Sequence, residues 1–230
     1  GISGLSAAYY LSKKHKVDLF EKENQFGGHA NTIKVAYNPN KEIPIDIGFM
    51  VFNKQTYPNL INFFLENKIE IEKSDMSFSV TVENSDLEYC GKGLGGIFSN
   101  KKNLFNPKFL KMFFEILSFY KNCEKIEIKK ISSITLGEYL TEIKISEYFI
   151  NYHIIPMVSA IWSMPPYEAK QMPLSFFLSF FKNHGLFKIK DRPQWFTVTN
   201  RSKTYVDKII GQVSGEHFKN YNINKITRND

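Results

Sequence analysis

The chain has 230 residues, 43% of them hydrophobic, and 30 Lys and Arg against 23 Asp and Glu give it a net charge of +7. That length buries enough surface for one large domain or two small ones, and the composition is that of a globular protein. Only Arg192, Arg201 and Arg228 are arginines, and no basic run extends beyond Lys13-Lys14-His15-Lys16, so nucleic acid is not an expected partner, since its readers favour the bidentate guanidinium.

The charge reads as a solvated lysine surface, with peripheral contact to an anionic membrane surface or an acidic partner as the sharper alternative. Cys90 and Cys123 have neither metal nor redox spacing and suit a reducing compartment, so a cytoplasmic location is expected.

Gly1-Ile2-Ser3-Gly4-Leu5 reads as the last two glycines of a G-x-G-x-x-G turn entering a helix. Without a Cβ, Gly1 lets a pyrophosphate approach the backbone, Gly4 is expected to let the helix pack closely on a sheet, and the helix N-terminus carries the phosphate charge. Leu5, Ala8 and Leu11 recur at helical spacing. Val17-Asp18-Leu19-Phe20-Glu21 then reads as a short strand ending in an acid, about 20 residues beyond the glycines, where a carboxylate accepts hydrogen bonds from a ribose hydroxyl. In Gly27-Gly28-His29-Ala30-Asn31-Thr32 a second glycine pair offers more backbone N–H groups for phosphate, which favours FAD over NAD. The chain opens inside the first motif, so the opening strand of the unit is expected to be missing, and residues 227–230 read as a cut strand and turn.

Residues 33–35 and 43–47 read as extended segments joined by Tyr37-Asn38-Pro39-Asn40. Asp46 and Gly48 at the end of the second are, from the residues alone, equally an ordinary strand-end acid and a turn glycine. A helix is expected within 57–67, with Pro58 in its first turn, and a hairpin from 77–82 and 87–90 begins a second domain. Phe105, Phe109, Met112, Phe113, Ile116, Leu117 and Tyr120 share a helix face. Thr135 with Glu138 forms a capping box, and a helix over about 146–162 should be kinked by Pro156. In the helix expected over 174–181, Phe176, Phe177, Phe180 and Phe181 are placed on one aromatic face. A helix over 202–213 and a strand over 221–227 close the chain.

No segment is long and apolar enough to span a membrane. His15, His29, His153, His184 and His217 show no ligand spacing and no nucleophile elbow occurs, so no metal site is expected and the chemistry must come from a cofactor.

Further stretches are Ile45-Asp46-Ile47-Gly48-Phe49, Ile155-Pro156-Met157, Ala160-Ile161-Trp162-Ser163, Asn183-His184-Gly185 and Arg192-Pro193-Gln194-Trp195. With the glycine turns they resemble the flavin-containing amine oxidase and phytoene desaturase superfamily. The narrower resemblance is to bacterial FAD-dependent, amine-oxidase-like proteins described as predicted NAD/FAD-binding proteins. Many amine oxidases carry arginine where this chain has His29, and family members tend to carry Gly-Gly where it has Asn200-Arg201.

The resemblance implies an α/β fold: a Rossmann-type FAD-binding domain, its first strand missing, with an inserted α+β, largely helical substrate domain. Residues 1–52 and 193–230 would form the first and residues 53–192 the second. It implies FAD contacts at Gly1, Ser3, Gly4, Glu21, Lys22, Gly27, Gly28, His29, Asp46, Gly48 and Ile223, and a hydrophobic small-molecule channel bordered by Trp162, Phe176, Phe180 and Phe187. No catalytic side chain is singled out. The implied activity is an FAD-dependent oxidoreductase taking hydride from an amine or a saturated C–H bond. The alternatives are a flavin-dependent isomerase without net redox and a non-catalytic nucleotide-binding or membrane-surface module.

Overall fold

A computed structural model describes residues 1–131, 133–189 and 191–228. The chain divides into two units, Gly1–Asp75 with Gln194–Asp230, and Met76–Pro193.

The first unit opens on α1 (Ile2–Ser12), which buries Leu5, Ala8 and Tyr9 and leaves Leu11 exposed. After β1 (Leu19–Phe20), β2 (Thr32–Asn38) and β3 (Lys41–Asp46) pair antiparallel, with Ile33 opposite Ile45 and Val35 opposite Ile43. Next come β4 (Phe52–Asn53), α2 (Pro58–Glu66) and β5 (Ile71–Ser74). Pro58 sits in the first turn of α2, where a missing N–H leaves no intrahelical bond unmade.

The second unit begins with the hairpin β6 (Ser79–Thr81) and β7 (Glu88–Cys90), then α3 (Gly93–Ile97) and a 3-10 turn, Lys101–Phe105. In α4 (Pro107–Lys125), Phe109, Met112, Ile116, Phe119, Tyr120 and Cys123 recur at three- and four-residue spacing and are all buried. Phe105, expected on that face, lies outside the helix and is 86% exposed. The reason is the cap: the Asn106 side chain accepts from the N–H groups of Lys108 and Phe109, so the helix starts at Pro107. Burial pushes the Cys123 thiol up to about 12, which makes it an inert core group.

A 3-10 turn, Ile128–Lys130, leads to α5 (Leu136–Glu142), opened by the expected capping box of Thr135 and Glu138. The helix expected over 146–162 is three pieces: α6 (Glu147–Phe149), a π turn Ile150–Ile154 and α7 (Ile155–Trp162). Pro156 has no N–H to give the carbonyl of Tyr152, four residues back, and the hydroxyl of Tyr89 donates to that carbonyl instead at 2.7 Å. Proline thus falls in the first turn of α7, after the π turn. The unit ends with α8 (Pro166–Gln171) and α9 (Leu174–Asn183).

Back in the first unit, β8 (Trp195–Val198) lies between β4 and β5 in an antiparallel sheet of order β4-β8-β5. That pairing moves the unit boundary. Residues 53–75, expected in the second domain, belong with the first, because β4 and β5 find their partner only after the chain returns. α10 (Ser202–Ile210) and β9 (His217–Phe218) follow, and β9 runs parallel to β1. No strand forms over 221–227. The partner of β1 is reached earlier, at His217, and Asn220 turns the chain with φ +55° once its N–H has bonded the carbonyl of Glu23.

Each unit has its own core. In the first, Leu5, Tyr9, Phe52, Phe63, Phe64, Tyr205 and Ile209 are buried together; the second is built on α4, α5, α7 and α9. Among the described residues, no helix is long and apolar enough to cross a membrane, and no cluster of His, Cys, Asp and Glu is arranged to hold a metal.

Candidate dinucleotide site

The first unit brings the separated glycine turns into contact. Gly28 has φ +58°, and a Cβ added to it would lie 2.9 Å from the Cα of Gly1 and 3.1 Å from its nitrogen. Gly27, φ +122°, has room for no Cβ either: one there would meet the carbonyl oxygen of Ala30 at 2.5 Å. Both need a backbone conformation that L side chains rarely adopt, which is why the sequence has glycine at each. At Gly48 the constraint is approach alone, since a Cβ would sit 2.2 Å from the carbonyl oxygen of His29, where the Phe49 N–H also bonds that oxygen at 2.7 Å. Gly1, Gly27, Gly28, His29 and Gly48 therefore form one backbone cluster.

Beside that cluster α1 begins. No side chain caps its N-terminus and no acid lies in its first turn, so the leading N–H groups, those of Ser3 and Gly4 among them, are open to an anion. Ser3 and Gly4 are exposed, and a Cβ on Gly4 would meet nothing within 4 Å among the described residues, so the close helix packing expected at Gly4 is not made here.

Asp46 is 6% exposed and fully engaged. Its Oδ1 accepts from Thr32 Oγ1 at 2.6 Å and the Ser202 N–H at 3.0 Å, and its Oδ2 accepts from Ser202 Oγ at 3.0 Å. It caps α10 from another part of the chain, a role that local pattern cannot reveal because 156 residues separate the partners. The carboxylate is adjacent to the glycine cluster in sequence and structure, yet its oxygens point into the helix cap.

The turn before α10 carries its own strain. Asn200 and Arg201, standing where family members tend to carry Gly-Gly, have φ of +63° and +75°. The backbone keeps the glycine shape with side chains added.

Glu21 follows β1 directly. Its backbone N–H bonds the carbonyl of Phe218 and its own carbonyl takes the Tyr221 N–H, so the β1–β9 ladder holds the residue in place. Its Oε1 accepts from the Glu23 N–H at 3.1 Å, and Oε2 is open among the described residues. Lys22 is exposed beside it. Ile223, expected on a strand, lies in irregular chain and is 45% exposed.

The aromatic residues of the second unit split into two sets. Phe177 and Phe181 are fully buried and 4.2 Å apart at their centroids, with Phe187, 3% exposed, packed on both. Phe176 and Phe180 turn outward, where Trp162 covers them at 5.6 and 4.6 Å and His184 stacks on Phe180 at 4.0 Å. The single aromatic face expected of this helix is therefore two, because at 3.6 residues per turn positions i and i+1 diverge by about 100°. Of the four residues expected to border a channel, Trp162, Phe176 and Phe180 adjoin one another and Phe187 belongs to the core.

Sequence reasoning passed over His153. It is buried between Tyr89, whose Oη lies 2.9 Å from Nδ1, and Tyr120, whose Oη lies 2.9 Å from Nε2. Because Tyr89 spends its proton on the Tyr152 carbonyl, Nδ1 must be the donor and Nε2 the acceptor of the Tyr120 hydroxyl. Burial, reinforced by the charge of Arg192, holds this imidazole neutral, with its pKa down at about 3.

Residues 1–66 match the family described as the NAD(P)-binding Rossmann-like domain. Among solved structures, an oxidoreductase from Methanosarcina mazei is similar, with a TM-score of 0.55 at 16% identity over 96% of this chain and 49% of that one. The chain thus spans about half the length of that structure. Comparison with curated proteins yields no match.

Proposed function

We propose that this chain is part of an FAD-dependent, amine-oxidase-like oxidoreductase that takes hydride from an amine or a saturated C–H bond of a hydrophobic small molecule. The observation that carries the reading is the meeting of Gly1 with Gly27 and Gly28 beside an uncapped helix N-terminus. The match of residues 1–66 to a dinucleotide-binding domain supports it, as does a structural neighbour that is an oxidoreductase.

The residues fit the group. The open N–H groups at the start of α1 and the positive-φ pair Gly27-Gly28 would hold the pyrophosphate, with Lys22 and His29 as exposed cations or donors nearby in the chain. Glu21 would take the ribose hydroxyls through its open oxygen. Asp46 would shape the site indirectly, by fixing α10 and the β3 end against Gly48. Ile223 would offer backbone groups and an apolar side chain to the adenosine end. When bound, FAD supplies the two-electron acceptor, and the protein's part is to bind it, orient the substrate and keep competing reactions out. Trp162, Phe176 and Phe180 are the apolar groups assigned to substrate contact.

The test is the absorbance spectrum of the full-length protein, followed by separate titrations of apoprotein with FAD and with NAD(P)H. FAD should bind and Gly28→Val should abolish that binding. A colourless protein that takes up NAD(P)H alone would sink the flavin reading and leave a nicotinamide enzyme.

A further inference from the structure

We propose that the turn Lys101–Phe105, with the exposed flank of α4 that follows it, is a docking surface for an anionic lipid bilayer. Residues 91–114 hold Lys92, Lys101, Lys102, Lys108 and Lys111 and no acidic residue, the most one-sided charge segment of the chain. Within the same segment stand Leu94, Leu104, Phe105 and Phe114, which are 66%, 47%, 86% and 65% exposed. Basic and large apolar side chains are thus exposed together in one stretch of chain.

The turn is built to hold them outward. The Asn100 side chain accepts from the Lys102 N–H at 3.0 Å and donates to the Asp86 carbonyl at 2.7 Å. Asn103 is 2% exposed and donates to the Glu88 carbonyl at 2.9 Å, tying the turn to β7. Asn106 caps α4. With Asn103 buried between the capping residues Asn100 and Asn106, Leu104 and Phe105 project outward. Along α4, Lys111 and Phe114 are three residues apart and so neighbours on the helix surface. Lys108 and Lys111 also line a cleft of about 380 Å³ with Ser146, Glu147, Tyr148 and Asn151, which extends the basic flank.

Three acids border the surface against five lysines, so it stays basic. Glu147, exposed in the same cleft, accepts from the Asn151 amide at 3.5 Å. Asp86 pairs with Lys102 at 2.8 Å, but both side chains are at least 70% exposed, and such pairs are weak. Glu115 lies 3.9 Å from Lys111 and spends its oxygens on the N–H and hydroxyl of Ser146. The occupant follows from the residue types. Protein interface cores favour Tyr, Trp and Arg and are depleted in Lys, whereas a projecting Phe and Leu ringed by lysines suits the headgroup boundary, where ammonium groups stay in the anionic layer and the rings enter below it. This inference does not depend on the flavin reading.

The experiment is sedimentation of the full-length protein with vesicles of phosphatidylcholine alone and of phosphatidylcholine with phosphatidylserine. The protein should pellet with the second and not the first, and less so as salt rises. Leu104→Ser with Phe105→Ser, and separately Lys101→Glu with Lys108→Glu, should each weaken binding roughly tenfold or more at unchanged circular dichroism and melting temperature. Equal pelleting with both vesicles, none with either, or variants that bind like the parent would overturn the proposal. Capture on polyglutamate beads without pelleting on phosphatidylserine would also overturn it, reassigning the face to an acidic protein.

Discussion

Single residues in the first unit are constrained by backbone before they are constrained by chemistry. Arg201 shows this most plainly, since φ +75° with ψ 174° is a conformation that glycine adopts freely and a side chain resists. Its side chain gains only long contacts at 3.3 Å, to the Pro44 carbonyl and to Glu72, both exposed. Arg201→Gly should therefore raise stability by about 1 kcal/mol, read from the midpoint of denaturant unfolding; a loss of that size would mean the two contacts outweigh the strain. Asp46 is the opposite case, a residue whose partners define it. Asp46→Ala leaves the buried Ser202 N–H and the Thr32 hydroxyl without their acceptor and should cost about 1 to 3 kcal/mol in protein stripped of any dinucleotide. If the stripped variant is as stable as the parent, the carboxylate serves a ligand and not the cap.

At the scale of elements, the second unit shows how a sequence anomaly is absorbed by a distant partner. Pro156 disrupts the helix ladder, the π turn takes up the misfit, and Tyr89 of the hairpin serves the Tyr152 carbonyl while accepting from His153. The imidazole at the centre makes the unit sensitive to acid. Its pKa is lowered from 6.5 to about 3 by burial first and Arg192 second, so below 6.5 the unfolded chain binds a proton that the folded chain refuses. Stability present above pH 6.5 is lost as pH falls towards 3, with a slope of up to about 1.4 kcal/mol per pH unit from this group. Denaturant unfolding of the parent and of His153→Gln between pH 7 and pH 4, a range set by that shift, should show the steeper loss in the parent; parallel curves would mean the histidine is solvated. Within α9 the two aromatic sets predict different costs. Phe177→Ala and Phe181→Ala, both fully buried, should each lose about 3 to 5 kcal/mol, while Phe176→Ala, at 50% exposure, should stay within about 0.5 kcal/mol. Equal losses in thermal melts at all three would make the outer set core as well.

On the scale of the whole molecule, the second unit is one continuous stretch, Met76–Pro193, and the first is two. A continuous stretch with its own buried core can fold alone, since the residues of that core all lie inside it. Residues 76–193 expressed alone should therefore melt cooperatively with native helix content, as followed by circular dichroism. A broad, non-cooperative transition would show that the core of this unit depends on the rest of the chain. The first unit has no such independence, because β8 must arrive from beyond the second unit to join β4 and β5, and β9 to join β1.

Local pattern was enough for much of this protein. The glycine turn into α1, the short β1 strand ahead of Glu21, the β2–β3 and β6–β7 hairpins, the capping box at Thr135 and the faces of α4 all rest on interactions within a few residues of one another, and spacing reports these directly. The glycine pair at 27 and 28 was legible as special, because few other residues tolerate φ of +122° and +58°. What spacing could not report was anything that joins distant residues. The contact of Gly28 with Gly1, the cap of Asp46 on α10, the sheet that draws residues 53–75 into the first unit and the Tyr89–His153–Tyr120 core are of this kind. Each is decided by where the chain returns, and the side chains involved carry no local sign of it: an acid that caps a helix 156 residues away reads in sequence like any strand-end acid. The misplaced strand at 221–227 and the aromatic face divided in two have the same cause, since apolar residues announce that they will be buried but only packing settles which of them are.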